Sequence, residues 1–339
     1  MLSQLAQPFL ADIDATMYRV LLRIPNDVPG FGVMLRYALG WVDENDQPYR
    51  QSTGKRIRPL LLLLCAEAAG GDWHQALPAA AAVELLHNFS LIHDDIQDNS
   101  PTRHKRFTVW KIWGAANAIN AGDALFSLAH CALEALAEGG VNPSAALRVS
   151  QIFNATTVEL TRGQHLDMRF EHQAQVSVEE YLSMIVGKSA ALVSACAEIG
   201  ALIGSNGDRD VAAHYADFGL NLGLAFQIRD DILGIWGDPS VTGKSAATDI
   251  LSRKKSLPVL YGLSQSAELA AVYQRENFTE ADVTEAVAIL DRIGVRIYTQ
   301  EQETAYYQKA IEALQNACPQ GQAANWLRQL VNMLFGRTY

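Results

Sequence analysis

Basic residues are scarce in this chain of 339 amino acids, which has 27 Lys and Arg against 37 Asp and Glu and a formal net charge of -10. An acidic protein repels phosphate backbones and anionic lipids, which argues against nucleic acid and membrane surfaces as partners. Charged residues make up 19% of the chain and apolar residues 49%, a balance that excludes intrinsic disorder and permits a packed core. Any anionic ligand therefore needs local basic groups or a metal ion.

Cysteine is also rare, and its four residues lie far apart without a CxxC pair: Cys65, Cys131, Cys196 and Cys318. This spacing excludes the usual zinc and redox motifs and favours buried thiols in a reducing compartment. The longest apolar runs, Leu60–Ala66 and Ser189–Ala197, fall short of the roughly 18 residues of a membrane helix. The N-terminus lacks the basic region of a signal peptide. We therefore expect a cytoplasmic protein without a membrane span.

Strand-like alternation is almost absent, and apolar residues recur instead at three-to-four spacing in alanine- and leucine-rich segments. These segments predict helices at Leu60–Ala69, Ala76–Asp98, Ala115–Ala137, Ala145–Arg162, Val178–Gly204, Asp210–Gly234, Thr279–Ile293 and Gln300–Gln315. No Pro-, Ser- or Gly-rich linker divides them. The sequence therefore predicts an all-α, single-domain bundle of about ten or more helices over residues 1–339, with 1–30 as an N-terminal helical extension.

Two of the predicted apolar helices end in clusters of aspartate. The first runs into Asp94, Asp95 and Asp98, of which Asp94 and Asp98 share a helix face. Oxygen ligands held this close suit magnesium bound together with substrate phosphates. One cluster alone fits a solvated helix end equally well. The second cluster, Asp230 and Asp231, favours a metal site, because two such helix ends can clamp a diphosphate through shared ions.

The scarce basic residues cluster at Lys55–Arg58, Arg103–Arg106 and Lys244–Lys255. Such clusters are what an acidic protein needs to bind anionic groups. For four of these residues a solvated face or a helix C-terminus is the favoured explanation: Arg56, Lys105, Arg106 and Arg253. Lys55 and Arg58 lie three residues apart at the start of an apolar helix. At that spacing both side chains can reach one anion.

Together these residues resemble the head-to-tail trans-prenyl diphosphate synthases. The resemblance rests on motifs in a fixed order along most of the chain: Gly54–Pro59, Val83–His87, Asp94–Asp98, Asn120–Leu125, Gly163–Asp167, Gly187–Ala191, Phe226–Asp231, Gly243–Lys244 and Lys255–Pro258. It implies an isoprenoid-synthase bundle around a central cavity, a homodimer, and condensation of isopentenyl diphosphate with dimethylallyl, geranyl or farnesyl diphosphate.

The resemblance also implies roles for individual residues. It matches the ligands of three magnesium ions to Asp94, Asp98 and Asp230, supported by Asp95 and Asp231. It matches the groups that bind the allylic diphosphate to Arg103, Lys188, Lys244 and Lys254, and those that bind isopentenyl diphosphate to Lys55, Arg58, His87 and His104. The implied catalytic residues are Lys188, Ser189 and Gln227, the last two because they steady the carbocation.

Three positions depart from the family pattern. The usual Arg-Arg-Gly after the first motif reads Arg103-His104-Lys105, and the loss of a charged hydrogen bond, roughly 1.5–3 kcal/mol, predicts weak binding of isopentenyl diphosphate. Gly234 replaces the third aspartate of the second motif, which is usually not a direct metal ligand, so we expect activity to survive. Ala247 replaces a common glycine and is expected to stiffen a loop.

Product length in the family depends on bulk one to two turns before the first aspartate motif. Phe89 and Ser90 lie five and four residues before Asp94. We expect the aromatic ring to form the floor of the tail pocket and the serine to leave room beside it. These residues indicate a short-chain enzyme with a 15- or 20-carbon product, of which the 20-carbon product is favoured.

Three other functions stay open: a class I terpene cyclase, a longer-chain polyprenyl diphosphate synthase, and a non-catalytic partner subunit of a synthase complex. A cyclase has no use for Lys55, Arg58 and His87, whereas His104 and Gly234 slightly favour it. The aspartates that both motifs retain argue against a non-catalytic subunit.

Overall fold

The computed structural model describes residues 2–25, 28, 30–49, 56–173, 175–237 and 247–335, with side chains from residue 7 onward. Its helices, in chain order, are α1 (Leu2–Leu21), α2 (Phe31–Ala38), α3 (Ile57–Ala68), α4 (Leu77–Gln97), α5 (Val109–Trp113), α6 (Ala115–Glu138), α7 (Pro143–His172), α8 (Val178–Ile185), α9 (Ala191–Gly204), α10 (Arg209–Trp236), α11 (Thr248–Leu251), α12 (Leu257–Gln265), α13 (Ala267–Tyr273), α14 (Glu280–Arg292), α15 (Val295–Asn316) and α16 (Gly321–Phe335). A 3₁₀ turn at Trp73–Ala76 precedes α4, and a π-helical segment at Val186–Ala190 joins α8 to α9.

The all-α prediction is confirmed, and all eight helices predicted from apolar spacing are present. The seventh helix of the chain is longer than predicted and extends to His172. A short antiparallel hairpin of β1 (Thr102–Arg103) and β2 (Arg106–Phe107) was not predicted. The prediction missed it because each strand has only two residues, too few to show an alternating pattern.

Two compact units make up the chain. The first comprises Met1–Ala155, Cys196–Ala213 and Ala317–Leu327, and the second comprises Thr156–Ala195, His214–Asn316 and Arg328–Tyr339. The expectation of a single domain over 1–339 stays a prediction.

The core of the first unit is built on α3 and α4. The run Leu60–Leu64 is at most 1% exposed, and burial of each leucine contributes about 1.5–3 kcal/mol. Two glycines let α9 approach α3 backbone to backbone, since a Cβ at Gly200 would lie 2.1 Å from the carbonyl oxygen of Leu62, and one at Gly204 would lie 2.0 Å from that of Ala66. This packing fixes the base of α4, whose far end carries the first aspartates.

The core of the second unit surrounds the C-terminal half of α10. Ile228 and Ile232 are fully buried there and pack with Tyr181 of α8 and with Leu257 and Leu260 of α12. The apolar face of α10 is thereby fixed, and of its two motif aspartates Asp230 is exposed whereas Asp231 is buried. The second aspartate motif belongs to this helix.

The segment Val178–Gly204 is long and apolar enough to cross a membrane, the one helix of that kind among the described residues. Its most apolar 18-residue window is 61% buried inside the protein, and core helices of soluble proteins have the same composition. Of the four cysteines, Cys65 and Cys196 are buried as expected. Cys131 is only half-buried and Cys318 is exposed, so the expectation is wrong for these two. All four are free thiols.

Candidate functional site

The end of α4 presents the first aspartate motif. Pro78 lies in the first turn of this alanine- and leucine-rich helix, and Asp98 caps its C-terminus. The helix stops there because Asn99 adopts a left-handed φ of 50°, which asparagine tolerates. The side chain of Asp94 is 20% exposed, Asp95 is buried and Asp98 is exposed. The predicted face of Asp94 and Asp98 is therefore accessible, while Asp95 points into the protein.

Arg103 of β1 contacts two of these aspartates. Its Nε donates to Asp95 Oδ1 over 2.8 Å, and its Nη2 donates to Asp94 Oδ2 over 3.0 Å. Burial raises the pKa of Asp95, against the opposing effect of Arg103. The guanidinium thus holds the buried aspartate in place, and it lies beside the accessible Asp94, where a diphosphate would be expected.

Arg58 and His87 form a second pair on α3 and α4. Arg58 Nη1 lies 3.2 Å from His87 Nε2. Since a guanidinium only donates, the imidazole accepts at Nε2 and carries its proton on Nδ1. Burial, and then the positive charges of Arg58, Arg103 and His104, lower the pKa of His87 well below its usual range. Lys55, the third predicted member of this group, lies outside the described residues.

The hairpin that carries Arg103 turns through His104 and Lys105. Both have left-handed φ angles, 50° and 63°, as in a type I′ turn. His104 lines a small cavity of about 90 Å³ together with Arg56, Glu84 and Asn88. The structure therefore places His104 beside a polar cavity next to α4, on the same hairpin as Arg103.

Aromatic rings surround the predicted chain-length residues. The Phe89 ring centroid lies 4.7 Å from that of His93 and 5.1 Å from that of Phe126. A further ring, His130, lies 4.7 Å from Phe126. Ser90 Oγ donates to the carbonyl of His87 over 2.7 Å, so its side chain stays close to α4. Phe89 thus lies in a cluster of tilted aromatic rings that restricts its movement.

In α10 the second motif presents one exposed and one buried aspartate. Asp230 is exposed, whereas Asp231 is fully buried. The Asp231 carboxylate accepts from Gln227 Nε2 over 3.2 Å, from the backbone N–H of Leu257 over 3.1 Å and from the Tyr181 hydroxyl. Protein donors therefore occupy both Asp231 oxygens, which makes this residue an anchor for its neighbours.

The anchored Asp231 orients Gln227, and Gln227 orients Ser189. Ser189 Oγ donates to Gln227 Oε1 over 2.7 Å. Burial raises the pKa of Tyr181 well above its usual range, and the charge of Asp231 adds to the shift, so the hydroxyl keeps the proton that it donates. Burial likewise raises the pKa of Asp231. The predicted pair Ser189 and Gln227 is thereby brought into direct contact within the second unit.

Lys188 lies in the π-helical segment between α8 and α9. A Cβ at Gly163 would lie 2.1 Å from the backbone nitrogen of Lys188, so only glycine permits this contact between α7 and the π segment. The Lys188 ammonium pairs with the Asp167 carboxylate, and both side chains are about 30% exposed, 29% and 28%. π-helical turns are frequent at functional sites, and this one turns Lys188 toward α7.

Lys254 follows α11, and its ammonium lies 3.8 Å from Asp249 Oδ2. Burial lowers the pKa of Lys254, but the carboxylates of Asp231, Asp249, Asp167 and Asp230 raise it, and the net shift is upward. This lysine is therefore a cation among several carboxylates of the second unit. Lys244, the other predicted lysine of this stretch, lies outside the described residues.

Sequence reasoning gave no role to Tyr181, Asp167 and Asp249. Tyr181 and Asp249 belong to none of the motifs that carry the resemblance, and Asp167 ends one of them. Only the packing of α8, α7 and α11 against α10 and the π segment shows their partners. The sequence signal for Asp167 is its place four residues after Gly163, one helical turn along α7.

Metal binding is compatible with these donors. The described residues contain no group of three or more His, Cys, Asp or Glu side chains placed to hold a metal ion. Magnesium typically binds through one or two carboxylates and completes its shell with water and substrate phosphate. Asp94 and Asp98 in the first unit, and Asp230 in the second, each offer oxygen donors of that kind at accessible helix positions. Each motif by itself thus offers donors that fit magnesium arriving with a diphosphate.

Comparison with known proteins shows what the chain as a whole is similar to. A family model described as polyprenyl synthetase matches residues 40–290. A farnesyl diphosphate synthase of Mycobacterium bovis is 47% identical over 247 residues, which cover 72% of this chain and 67% of the relative. A geranylgeranyl diphosphate synthase of Mycobacterium tuberculosis is 40% identical over 84% of this chain and 81% of its own. The crystal structure of a geranylgeranyl pyrophosphate synthetase from Pyrococcus horikoshii superposes with a TM-score of 0.88 at 33% identity, over 99% of this chain and 98% of that one.

Proposed function

The chain belongs to the polyprenyl synthetase family and is a short-chain trans-prenyltransferase, and from this premise we propose that it makes geranylgeranyl or farnesyl diphosphate. Its substrates are isopentenyl diphosphate and an allylic diphosphate. The arrangement of polar residues along α4 is the main support for this proposal. One end of this helix displays Asp94 and Asp98, and His87, seven residues earlier, pairs with Arg58. One helix thus carries groups for two different diphosphates, which condensation requires and cyclisation does not.

We assign magnesium to Asp94, Asp98 and Asp230, and three ions to the complete site. Asp98 and Asp230 are exposed, and Asp94 keeps part of its carboxylate accessible. Asp95 and Asp231 are buried and held by protein donors, so they position the ligands. Bound magnesium would supply positive charge to the departing diphosphate.

Basic side chains complete the binding of both diphosphates. We assign the allylic diphosphate to Arg103, Lys188, Lys244 and Lys254. Arg103 is suited to this role by its forked donors, which already bridge two aspartates. We assign isopentenyl diphosphate to Lys55, Arg58, His87 and His104. His87 is neutral and donates through Nδ1, so Arg58 and Lys55 supply the positive charge there.

In the proposed reaction the allylic C–O bond breaks, and the diphosphate leaves with the electron pair. The alkene of isopentenyl diphosphate then forms a C–C bond with the allylic carbon, and the resulting cation loses a proton to the released diphosphate. Ser189 donates its own proton to Gln227, so the lone pairs of its hydroxyl oxygen remain to steady positive charge. The fixed amide of Gln227 keeps that orientation.

We also propose that the protein is cytoplasmic and homodimeric. Ile119 and Leu147 of the first unit are 43% and 63% exposed, and a partner protomer would cover apolar surface of this kind. Sedimentation velocity of the purified protein tests the dimer, and a monomer at micromolar concentration would overturn it.

Incubation with magnesium, isopentenyl diphosphate and each allylic primer, followed by chromatographic sizing of the dephosphorylated products, tests the proposed function. We expect 15- and 20-carbon alcohols, with the 20-carbon product in excess. An Arg58→Gln variant should raise KM for isopentenyl diphosphate and leave KM for the allylic primer nearly unchanged. Products longer than 25 carbons, or equal effects on both KM values, would contradict the assignment.

A further inference from the structure

Arg56 is the residue from which α3 starts, and its backbone conformation is unusual. Its carbonyl accepts a hydrogen bond from the backbone N–H of Leu60, in the first turn of the helix, over 3.2 Å. N-cap residues normally have extended φ and ψ angles, whereas those of Arg56 are 44° and 42°, in the left-handed region. A residue with a Cβ rarely adopts this conformation unless its surroundings stabilise it. The direction in which α3 leaves this turn therefore depends on what holds Arg56.

Two carboxylates from different helices hold the Arg56 side chain. Its Nη2 pairs with Asp14 Oδ1 of α1 at 2.8 Å, and its Nη1 lies 3.6 Å from Glu84 Oε1 of α4. The Arg56 side chain is only 13% exposed. The expectation of a solvated position is therefore wrong for Arg56, whose guanidinium bridges α1 and α4 within the first unit.

Both partners of Arg56 are themselves fixed. Asp14 Oδ1 also accepts from Trp41 Nε1 over 3.2 Å. The Glu84 side chain is 10% exposed, and its Oε1 accepts from Asn88 Nδ2 over 3.3 Å. A carboxylate buried this deeply needs a nearby positive charge, and the guanidinium of Arg56 provides one. The bridge thus fixes the start of α3 relative to α4.

The same two helices, α3 and α4, carry Arg58 and His87. Arg58 lies two residues after Arg56, in the first turn of α3, and His87 lies three residues after Glu84 on α4. Arg58 Nη1 is 3.2 Å from His87 Nε2. Because a long side chain amplifies any change in the direction of its backbone, a rotation of the turn at Arg56 would move the Arg58 guanidinium away from this partner.

We propose that Arg56 is a positioning residue for the binding of isopentenyl diphosphate. By joining Asp14 to Glu84 it stabilises the left-handed turn at the start of α3, and this turn directs Arg58 toward His87 and the bound diphosphate. Arg56 acts through the turn and does not itself bind the substrate. The inference rests on the proposed function, because it concerns the substrate assigned to Arg58 and His87.

Isothermal titration calorimetry with isopentenyl diphosphate, without metal, measures the effect on binding in the absence of turnover. We expect Arg56→Ala, which removes the bridge and keeps the strained turn, to raise Kd at least tenfold. Arg56→Gly also removes the bridge, but glycine adopts left-handed angles without strain, so its Kd should stay within threefold of that of the wild type. KM for the allylic primer should be nearly unchanged in both variants, a selectivity that a general loss of structure would not produce.

Two further variants complete the experiment. Arg36→Ala removes another arginine–aspartate ion pair of the first unit, the one with Asp46, and is the matched control, which should bind as the wild type does. Asp14→Asn breaks the bridge at its exposed end, where the side chain is 43% exposed, and should weaken binding of isopentenyl diphosphate at least threefold. This variant decides the question if Arg56→Ala does not fold, which circular dichroism and thermal unfolding establish.

Wild-type affinity in folded Arg56→Ala or in Asp14→Asn would overturn the proposal. Equal Kd values for the alanine and glycine variants would also overturn it, since Arg56 would then act through its charge and not through the turn. A wild-type protein that forms no prenyl product would refute the proposed function instead, whatever the order of the Kd values.

Discussion

At the residue scale, the hydrogen bond between Arg58 and His87 defines the protonation state of the histidine. Nε2 accepts from the guanidinium over 3.2 Å, and burial keeps the ring neutral. A charged imidazole would face Arg58, Arg103 and His104 at once. The pair therefore presents one permanent cation and one neutral donor to an anionic ligand.

This arrangement predicts that His87 makes the protein less stable as the pH falls below about 6.5, the usual pKa of histidine. The unfolded chain then takes up a proton that the folded protein, with its lowered pKa, does not, so the free energy of unfolding decreases. One group contributes at most about 1.4 kcal/mol per pH unit. Urea unfolding at pH 8 and pH 6 measures the effect, and His87→Gln should lose less stability than the wild type. Equal losses would contradict a neutral His87.

Phe89 is expected to limit the length of the product. Its ring lies in an aromatic cluster with His93 and Phe126, so Phe89→Ala removes a fixed obstacle and should shift the products toward 25 carbons and longer. Chromatographic sizing of the products measures the shift. Val158→Ala, at an exposed position of α7, is the control and should leave the profile unchanged. An unchanged profile for Phe89→Ala would refute the pocket floor.

At the scale of elements, long periodic helices were predictable, and short or conformationally unusual segments were not. The apolar spacing of α4 and α10 identified both motif helices. The hairpin at Thr102–Phe107 escaped because its turn consists of His104 and Lys105, which are not typical turn residues. The π segment escaped because its cause is long-range: it depends on the contact of Gly163 with the backbone of Lys188.

The residues of the candidate site differ in the same way in how far the sequence predicts them. Aspartates and basic residues were identified by type and spacing, since their chemistry is local. The hydrogen bonds that anchor Asp231 to Tyr181 and Leu257 were not predictable, because these donors lie 50 and 26 positions away in the chain. Periodicity carries no information on such partners.

The hairpin turn predicts a stabilising substitution. Lys105 has a φ of 63° and is exposed, so Lys105→Gly should remove left-handed strain and raise the free energy of unfolding by about 0.5–1 kcal/mol. Lys105→Ala removes the same charge without relief of strain and is the matched control. Urea unfolding compares the two variants. A glycine variant no more stable than the alanine variant would contradict the turn geometry.

The close contact of α7 with the π segment predicts that a larger residue at position 163 lowers the stability of the protein. Gly163→Ala places a methyl group 2.1 Å from the backbone nitrogen of Lys188, and we expect a loss of about 1–3 kcal/mol of stability. Lys188 would shift with its segment, so kcat should fall as well. Thr161→Ala, exposed two residues earlier on α7, should change neither quantity. A fully active and stable Gly163→Ala variant would show that the segment adapts.

At the scale of the whole molecule, the net charge of -10 opposes the binding of a diphosphate. We therefore predict that the allylic diphosphate binds at least tenfold more weakly, about 1.4 kcal/mol, in EDTA than with magnesium. Isothermal titration calorimetry at constant ionic strength measures the difference. Isopentenyl diphosphate, assigned to basic residues alone, should show little dependence on the metal. Equal allylic affinities in both buffers would contradict the role assigned to the aspartates.

The consumption of farnesyl diphosphate with magnesium, in the presence and absence of radiolabelled isopentenyl diphosphate, tests whether this protein joins isopentenyl diphosphate to an allylic diphosphate. We predict that label appears in a 20-carbon diphosphate and that farnesyl diphosphate persists when isopentenyl diphosphate is omitted. Conversion of farnesyl diphosphate to a hydrocarbon without isopentenyl diphosphate would contradict it.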